Sequence, residues 1–211
     1  PWGFELGPTK LLPGKKDSSS ANISNLTIKF APFASLFNWQ PVVILNPKGT
    51  EIILSKNGIG SFWVAPPNDN PKEINLQLKF NLKDQTKIVF NPGDTTLLAK
   101  GNISFNLRKK KIYGAINLNS KKQGSLFLSG KGYWDGIEFQ TKVKINKLNL
   151  AILEAVLGNN PNIVTRGNIN GNLNFGVRKG MISCKGDLLF NNLTLKGGAL
   201  SNTLSTNNSK I

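Results

Sequence analysis

The sequence predicts a mostly β chain, an antiparallel sheet with one apolar and one polar face, and two short helices near 32–38 and 149–157. Three observations predict it. Between Gly101 and Leu195, short segments alternate apolar and polar residues at period two. A strand does this when one face is dry and the other wet. Brief stretches of Gly, Asn and Lys separate the segments, so chain neighbours are expected to pair as an antiparallel meander. At 211 residues with 39% apolar content, the chain is long enough for a core but lean in residues for an opposing layer.

Taken in order, residues 1–21 read as irregular, because Gly3, Gly7, Pro8, Pro13 and Gly14 interrupt any regular element. Trp2, Phe4 and Leu6 alternate and add a short strand. Leu26, Ile28 and Phe30 form the face of a second. Pro32 opens a helix that clusters Phe33, Leu36 and Phe37, and Pro41 ends it. Val42 to Leu45 is apolar on both faces, the pattern of a more buried strand. Asn46-Pro47-Lys48-Gly49 predicts a turn, with Glu51 to Ser55 returning from it. Asn57-Gly58 predicts another turn, into Ser61 to Val64.

The loop from Pro66 to Pro71 divides the chain into 1–66, an amino-terminal β segment with its helix, and 67–211, the β repeats. Ile74, Leu76, Leu78 and Phe80 form one strand face, Thr86 to Phe90 a shorter strand, and Asn91-Pro92-Gly93-Asp94 a tight turn. The meander beyond this turn is interrupted once. There Asn149 caps, and Gly158 stops, a short helix carrying Leu150, Leu153 and Leu157. A helix this short must dock to persist. The polar stretch 202–211 reads as frayed.

The candidate binding surface is the apolar face of the repeats. It comprises Ile103, Phe105, Leu107, Ile116, Leu118, Leu126, Leu128, Ile137, Phe139, Val143, Ile145, Leu173, Phe175, Val177, Ile182, Leu188 and Phe190. Such side chains at every second position on adjacent strands make a continuous apolar wall. An acyl chain needs that and no fixed polar partner. The same side chains also serve an ordinary core closed by a second sheet or by the helices. Both readings stand at this point.

Charge and chemistry narrow the function. The net charge is +16, with one dense basic run, Arg108, Lys109, Lys110 and Lys111, echoed at Lys121 and Lys122. Both fall where hairpin turns are expected. No nucleic acid is expected as a partner, because the aromatics fall on the apolar faces and not among the basic residues. Attraction to an anionic membrane and plain solubility are the leading readings of the charge, with a basic polyanion-binding module resting on Arg108 to Lys111 as a third. There is no His, Cys184 is the single cysteine, and Asp135 and Glu138 are the nearest thing to a carboxylate pair. Gly58-Ile59-Gly60 lacks the third glycine and following helix of a dinucleotide loop. No catalytic residue, metal site or cofactor is expected, and the chain reads as non-enzymatic.

An LGP near the start, then FAPFASLFNW, then QPVVILNPKGTEIILSKNGIGSFWV, is similar to the amino-terminal region of cyanobacterial and plastid members of the TamB family. These belong to the AsmA-like, repeating-β-groove envelope proteins. The family order is matched by Leu36-Phe37, Pro41, Val42 to Leu45, Asn46-Pro47, Glu51 to Leu54 and Gly60 to Trp63. Phe62 departs from it by standing inside the Gly-x-Trp closing element. The GNINGNLNF stretch and its neighbours resemble the β repeats that come next in the family. The resemblance implies a curved half-pipe with an apolar inner wall. It also implies a cell-envelope location, in the periplasmic or inter-envelope space, and an inner-membrane anchor outside this sequence. The implied roles are protein translocation and outer-membrane assembly, or lipid transport between membranes. The implied partners are phospholipid acyl chains and an outer-membrane β-barrel translocation partner. A slice of such a pipe would leave Leu193 to Leu195 as an unpaired edge.

Overall fold

The computed structural model describes residues 2–13, 17–56, 74–91, 95–120, 124–133, 138–152, 163–197 and 204–210. Their period-two alternation is realised as one sheet of twelve strands. These are β1 (Gly3–Leu6), β2 (Thr9–Leu11), β3 (Ser20–Phe30), β4 (Val42–Ser55), β5 (Gln77–Asn91), β6 (Thr95–Asn106), β7 (Lys111–Ser120), β8 (Gly124–Tyr133), β9 (Glu138–Asn149), β10 (Ile163–Arg178), β11 (Met181–Gly197) and β12 (Leu204–Lys210). A helix, α1 (Pro32–Asn38), joins β3 to β4. The strands lie side by side in the order β1-β3-β4 and onward to β12, with β2 also paired to β3.

The sheet is mixed rather than purely antiparallel. Strands β4 and β5 run parallel, Val42 opposite Gln77 and Ser55 opposite Asn91. A parallel pair needs a connection that returns to its starting end, here between Ser55 and Gln77. The boundary expected at 66/67 lies in that connection, outside the described residues, as does Ser61 to Val64. Lys87 donates to Glu51 across the parallel pair at 2.6 Å, with both side chains partly exposed. Exposed pairs contribute little, so Glu51→Gln should shift the urea midpoint by less than about 0.5 kcal/mol of stability.

Several expected breaks are instead irregularities within longer strands. Asn46 to Gly49 does not turn the chain. Gly49 adopts φ 55 inside β4, and the strand continues through it. The strands expected at 74–80 and 86–90 merge into β5, with a register shift between Leu82 and Thr86. From Leu82 to Thr86 β5 advances four residues while β6 advances two, an irregularity that does not reverse the chain, and Asn46 to Gly49 stays in register with β3. At the carboxy end, Leu204–Lys210 forms β12 on β11, with Leu193 opposite Thr206. Residues 204–210 are therefore not frayed, Thr194 and Leu195 are paired on both sides, and Leu193 is paired with Thr206. Backbone pairing needs no apolar alternation, which is why the polar β12 escapes a reading based on it.

Of the two expected helices, α1 forms as Pro32 foretells, and it buries no side chain. For the helix near 149–157, Ala151 and Ile152 are helical and 153–160 lie outside the described residues. One short helix is thus complete among the described residues, not two. The Asn149 side chain does accept the Ala151 N–H at 2.9 Å.

A closed core sits at one end of the sheet. Leu97, Leu148, Leu150, Ile152, Ile169 and Leu193 are buried together, with Ile88, Phe90, Leu118, Ile145, Leu188 and Phe190 packed against them. Each buried aliphatic side chain stabilises by about 1.5–3 kcal/mol. Two bulges keep the pattern in phase there. Lys147 at φ 47 and Asn192 at φ 52 each insert a residue, so Leu148 still opposes Ile169 and Leu193 reaches the same cluster.

Candidate functional site

Direct cross-strand partners project from the same face of a sheet, so register alone assembles the candidate wall. One row runs Phe30, Val43, Leu78, Phe105, Ile112, Gly132, Phe139, Val177, Ile182. The next runs Ile28, Leu45, Phe80, Ile103, Gly114, Gly130, Thr141, Phe175, Cys184. A third holds Leu82, Gly101, Ile116, Leu128, Val143, Leu173 and Gly186, and a fourth Ala99, Leu118, Leu126, Ile145, Gly171 and Leu188. Phe190 lies opposite Ile169, beside the closed core. Leu107 is in the turn past β6, its N–H donating to the Leu76 carbonyl at 2.9 Å. Ile137 lies outside the described residues.

Register therefore brings together the strand positions singled out in the sequence, but does not cover them. Ile182 is 71% exposed, and the other described wall residues are half-buried, none fully. The helix α1 packs on β4 and buries none of its own side chains. Phe139 and Phe175 meet at 5.5 Å between ring centroids, and Phe80 and Phe105 at 5.8 Å edge to face. Neighbouring rows thus contact one another along the face.

Within the wall is a hollow of about 490 Å³. Its floor is Gly114, Gly130 and Gly132, and its sides are Ile103, Ile112, Ile116, Leu128 and Phe139. Gly114 and Gly130 are direct partners on β7 and β8, so two adjacent strands present no side chain at one level and a depression results. Alternation in the sequence marks the walls of this hollow. The glycines that make it occupy apolar positions of the same pattern, and that substitution was the available signal. Leu78, Phe80 and Ile112 also extend the wall beyond the seventeen residues named from the sequence.

The basic residues singled out in the sequence do not line the hollow, though Lys131 does. Arg108, Lys109 and Lys110 are exposed in the β6–β7 turn. Lys111 begins β7, its Nζ 6.0 Å from the Tyr113 ring and 5.9 Å from that of Tyr133, at the outer limit of cation–π contact. Lys121 and Lys122 lie outside the described residues. On that polar face Gln40 donates to Gln77 at 3.4 Å, and Gln77 donates to the Tyr113 hydroxyl. This chain of contacts ties the end of α1 to β5 and β7. Among the described residues no three His, Cys, Asp or Glu side chains converge on a metal-sized site, and no helix is long and apolar enough to cross a membrane. In comparisons with known proteins, no family model, no curated protein and no solved structure matches the chain.

Proposed function

We propose that this chain is a non-enzymatic segment of a cell-envelope protein whose curved apolar face takes phospholipid acyl chains. The observation that carries the reading is the uncovered wall, four rows in which the large apolar side chains are half-buried or exposed and none is fully buried, around a hollow floored by glycine. An apolar chain laid there gains from burial, at about 25 cal/mol per Å², and meets few polar groups that demand partners. The resemblance to the TamB family supports placing the segment between two membranes, anchored through a part of the protein outside this sequence. The corresponding role is lipid transport between membranes, or translocation and assembly of outer-membrane proteins with a β-barrel partner.

The closed cluster around Leu148 and Ile169 favours a second reading, a scaffold that carries no cargo. Photocrosslinking separates the two. With a photoreactive residue at Phe139 or Phe175, incubation with phospholipid vesicles should give lipid adducts. Phe190, packed on the closed core, should give fewer, and Asn174 on the opposite face none. Absence of adducts from both Phe139 and Phe175 in folded protein, or equal adducts from both faces, would overturn the groove in favour of the scaffold.

A further inference from the structure

The two ends of the sheet differ in kind. At one end, where β4, β5, β7, β9 and β11 finish, apolar side chains of β6, β9, β10 and β11 close into the core around Leu148, while Leu11 and Leu12 beside the start of β3 stay 47% and 78% exposed. At the other, where those strands begin, large apolar side chains stand in solvent. Phe33, Phe37 and Trp39, on and just after α1, are 78%, 82% and 85% exposed. Trp39 holds the left-handed cap position at φ 52, where Gly is the usual occupant. Trp2 joins them, its carbonyl accepting the Phe30 N–H. At the same end, on β11, Met181 and Ile182 are 70% and 71% exposed.

Cations share that end. Its two described hairpin turns are Leu107 to Lys110 and Lys179-Gly180. Lys110 and Lys179 take positive φ, 48 and 49, where turn chemistry favours Asn or Gly. Arg108, Lys109, Arg178 and Lys179 are exposed beside them. Among the described residues Glu138, half-buried, is the carboxylate nearest this line of strand ends. From β3 to β11 the line is roughly 40 Å long at the usual strand spacing.

We propose that this end of the sheet docks onto the headgroup region of an anionic phospholipid bilayer. Bulky aromatic and aliphatic tips partition into the interface while neighbouring Lys and Arg meet the anionic headgroups. The charge selects this occupant over a protein, since the central part of a protein interface is depleted in Lys. Leu36, Met181 and Ile182, 66%, 70% and 71% exposed, favour a bilayer over nucleic acid, since aliphatic tips partition into an interface but give a base no ring, whereas Phe33, Phe37 and Trp39 would serve either. The docking is independent of whether the apolar wall carries lipid.

Vesicle co-sedimentation of the 211-residue chain tests it, using phosphatidylcholine with and without phosphatidylglycerol. Binding should require the anionic lipid. Reversing Lys109→Glu with Lys179→Glu at the docking end should weaken it at least roughly tenfold. The charge-matched pair Lys147→Glu with Lys196→Glu, at the closed end, should change it by less than about twofold. Phe37→Ser with Trp39→Ser should weaken binding even at low salt, with circular dichroism unchanged because neither side chain is buried. Leu128→Asp, in the wall, should leave vesicle binding intact, which separates this result from any failure of the groove. Equal loss from both charge-reversal pairs, or no binding to anionic vesicles, overturns the proposal. So does self-association without vesicles that Phe37→Ser with Trp39→Ser abolishes, since the patch would then be an interface between copies of the chain.

Discussion

Leu148→Asp should unfold the closed end of the sheet, whereas Leu128→Asp should leave the protein folded. Leu148 is buried among Leu97, Leu150, Ile152, Ile169 and Leu193. Truncating such a side chain costs about 2–5 kcal/mol, and an unpaired carboxylate in its place adds the desolvation of a charge. Leu128 lies in a row of half-buried side chains and borders the hollow, so an aspartate there can stay hydrated. Its expected cost is nearer 1 kcal/mol, roughly the centre of the range for point substitutions. Urea titration followed by circular dichroism reads both. The same Leu128→Asp protein should lose lipid adducts at Phe139, because a charge now faces the hollow. If Leu128→Asp unfolds as completely as Leu148→Asp, the wall is an ordinary core and the lipid reading falls with it.

Gly101→Val should be strongly damaging, as should Gly186→Val in the same row. Gly101 sits at φ 152 opposite Ile116. A Cβ there would collide with the Ala115 carbonyl oxygen and approach the Ile116 Cα to 2.8 Å. Both obstacles are backbone of the paired strand, so relief requires β6 and β7 to separate. Strained backbone alone costs about 1–3 kcal/mol, and lost pairing adds to that. Gly7 is the control. It has open space around it and no positive φ, so Gly7→Ala should fall within about 0.5 kcal/mol of the parent. Equal melting temperatures for the Gly101→Val protein and the parent would show that the two strands are not held as closely as described.

The faces of the strands were legible in the sequence because side-chain alternation is a local property, read without knowing a strand's neighbours. Residues as far apart as Ile103 and Val177 could therefore be assigned one wall before any pairing was known. Direction is not local. Nothing in Val42 to Leu45 or Leu78 to Phe80 distinguishes a parallel partner from an antiparallel one, and the β4–β5 pair was missed. Continuity was misread for a related reason. Asn46-Pro47-Lys48-Gly49 has the residues of a turn, yet the pairing of β4 with β3 on both sides of it, Leu45 with Ile28 and Thr50 with Ile23, carries the strand straight through. The hollow needed register, because Gly114 and Gly130 matter only as direct partners. Exposure of α1 was equally out of reach. Phe33, Leu36 and Phe37 show helical spacing, but the packing that would cover them is not encoded in that spacing.

The parallel step at β4–β5 also sets the phase of everything after it. In an uninterrupted meander each strand begins where its predecessor finished, so turns fall alternately at opposite ends. Here β4 and β5 both begin at the α1 end, and the alternation restarts one half-period late. As a result the Leu107–Lys110 and Lys179-Gly180 turns come out beside α1, and the Leu148 cluster comes out opposite. Had β5 simply turned back from β4, the same sequence from Gln77 onward would put those basic turns at the far end from Phe37 and Trp39. Adding or removing one later hairpin would preserve this polarity, while adding or removing one strand would invert it. The asymmetry of the molecule is in that sense a parity, fixed once, by a single pair of strands.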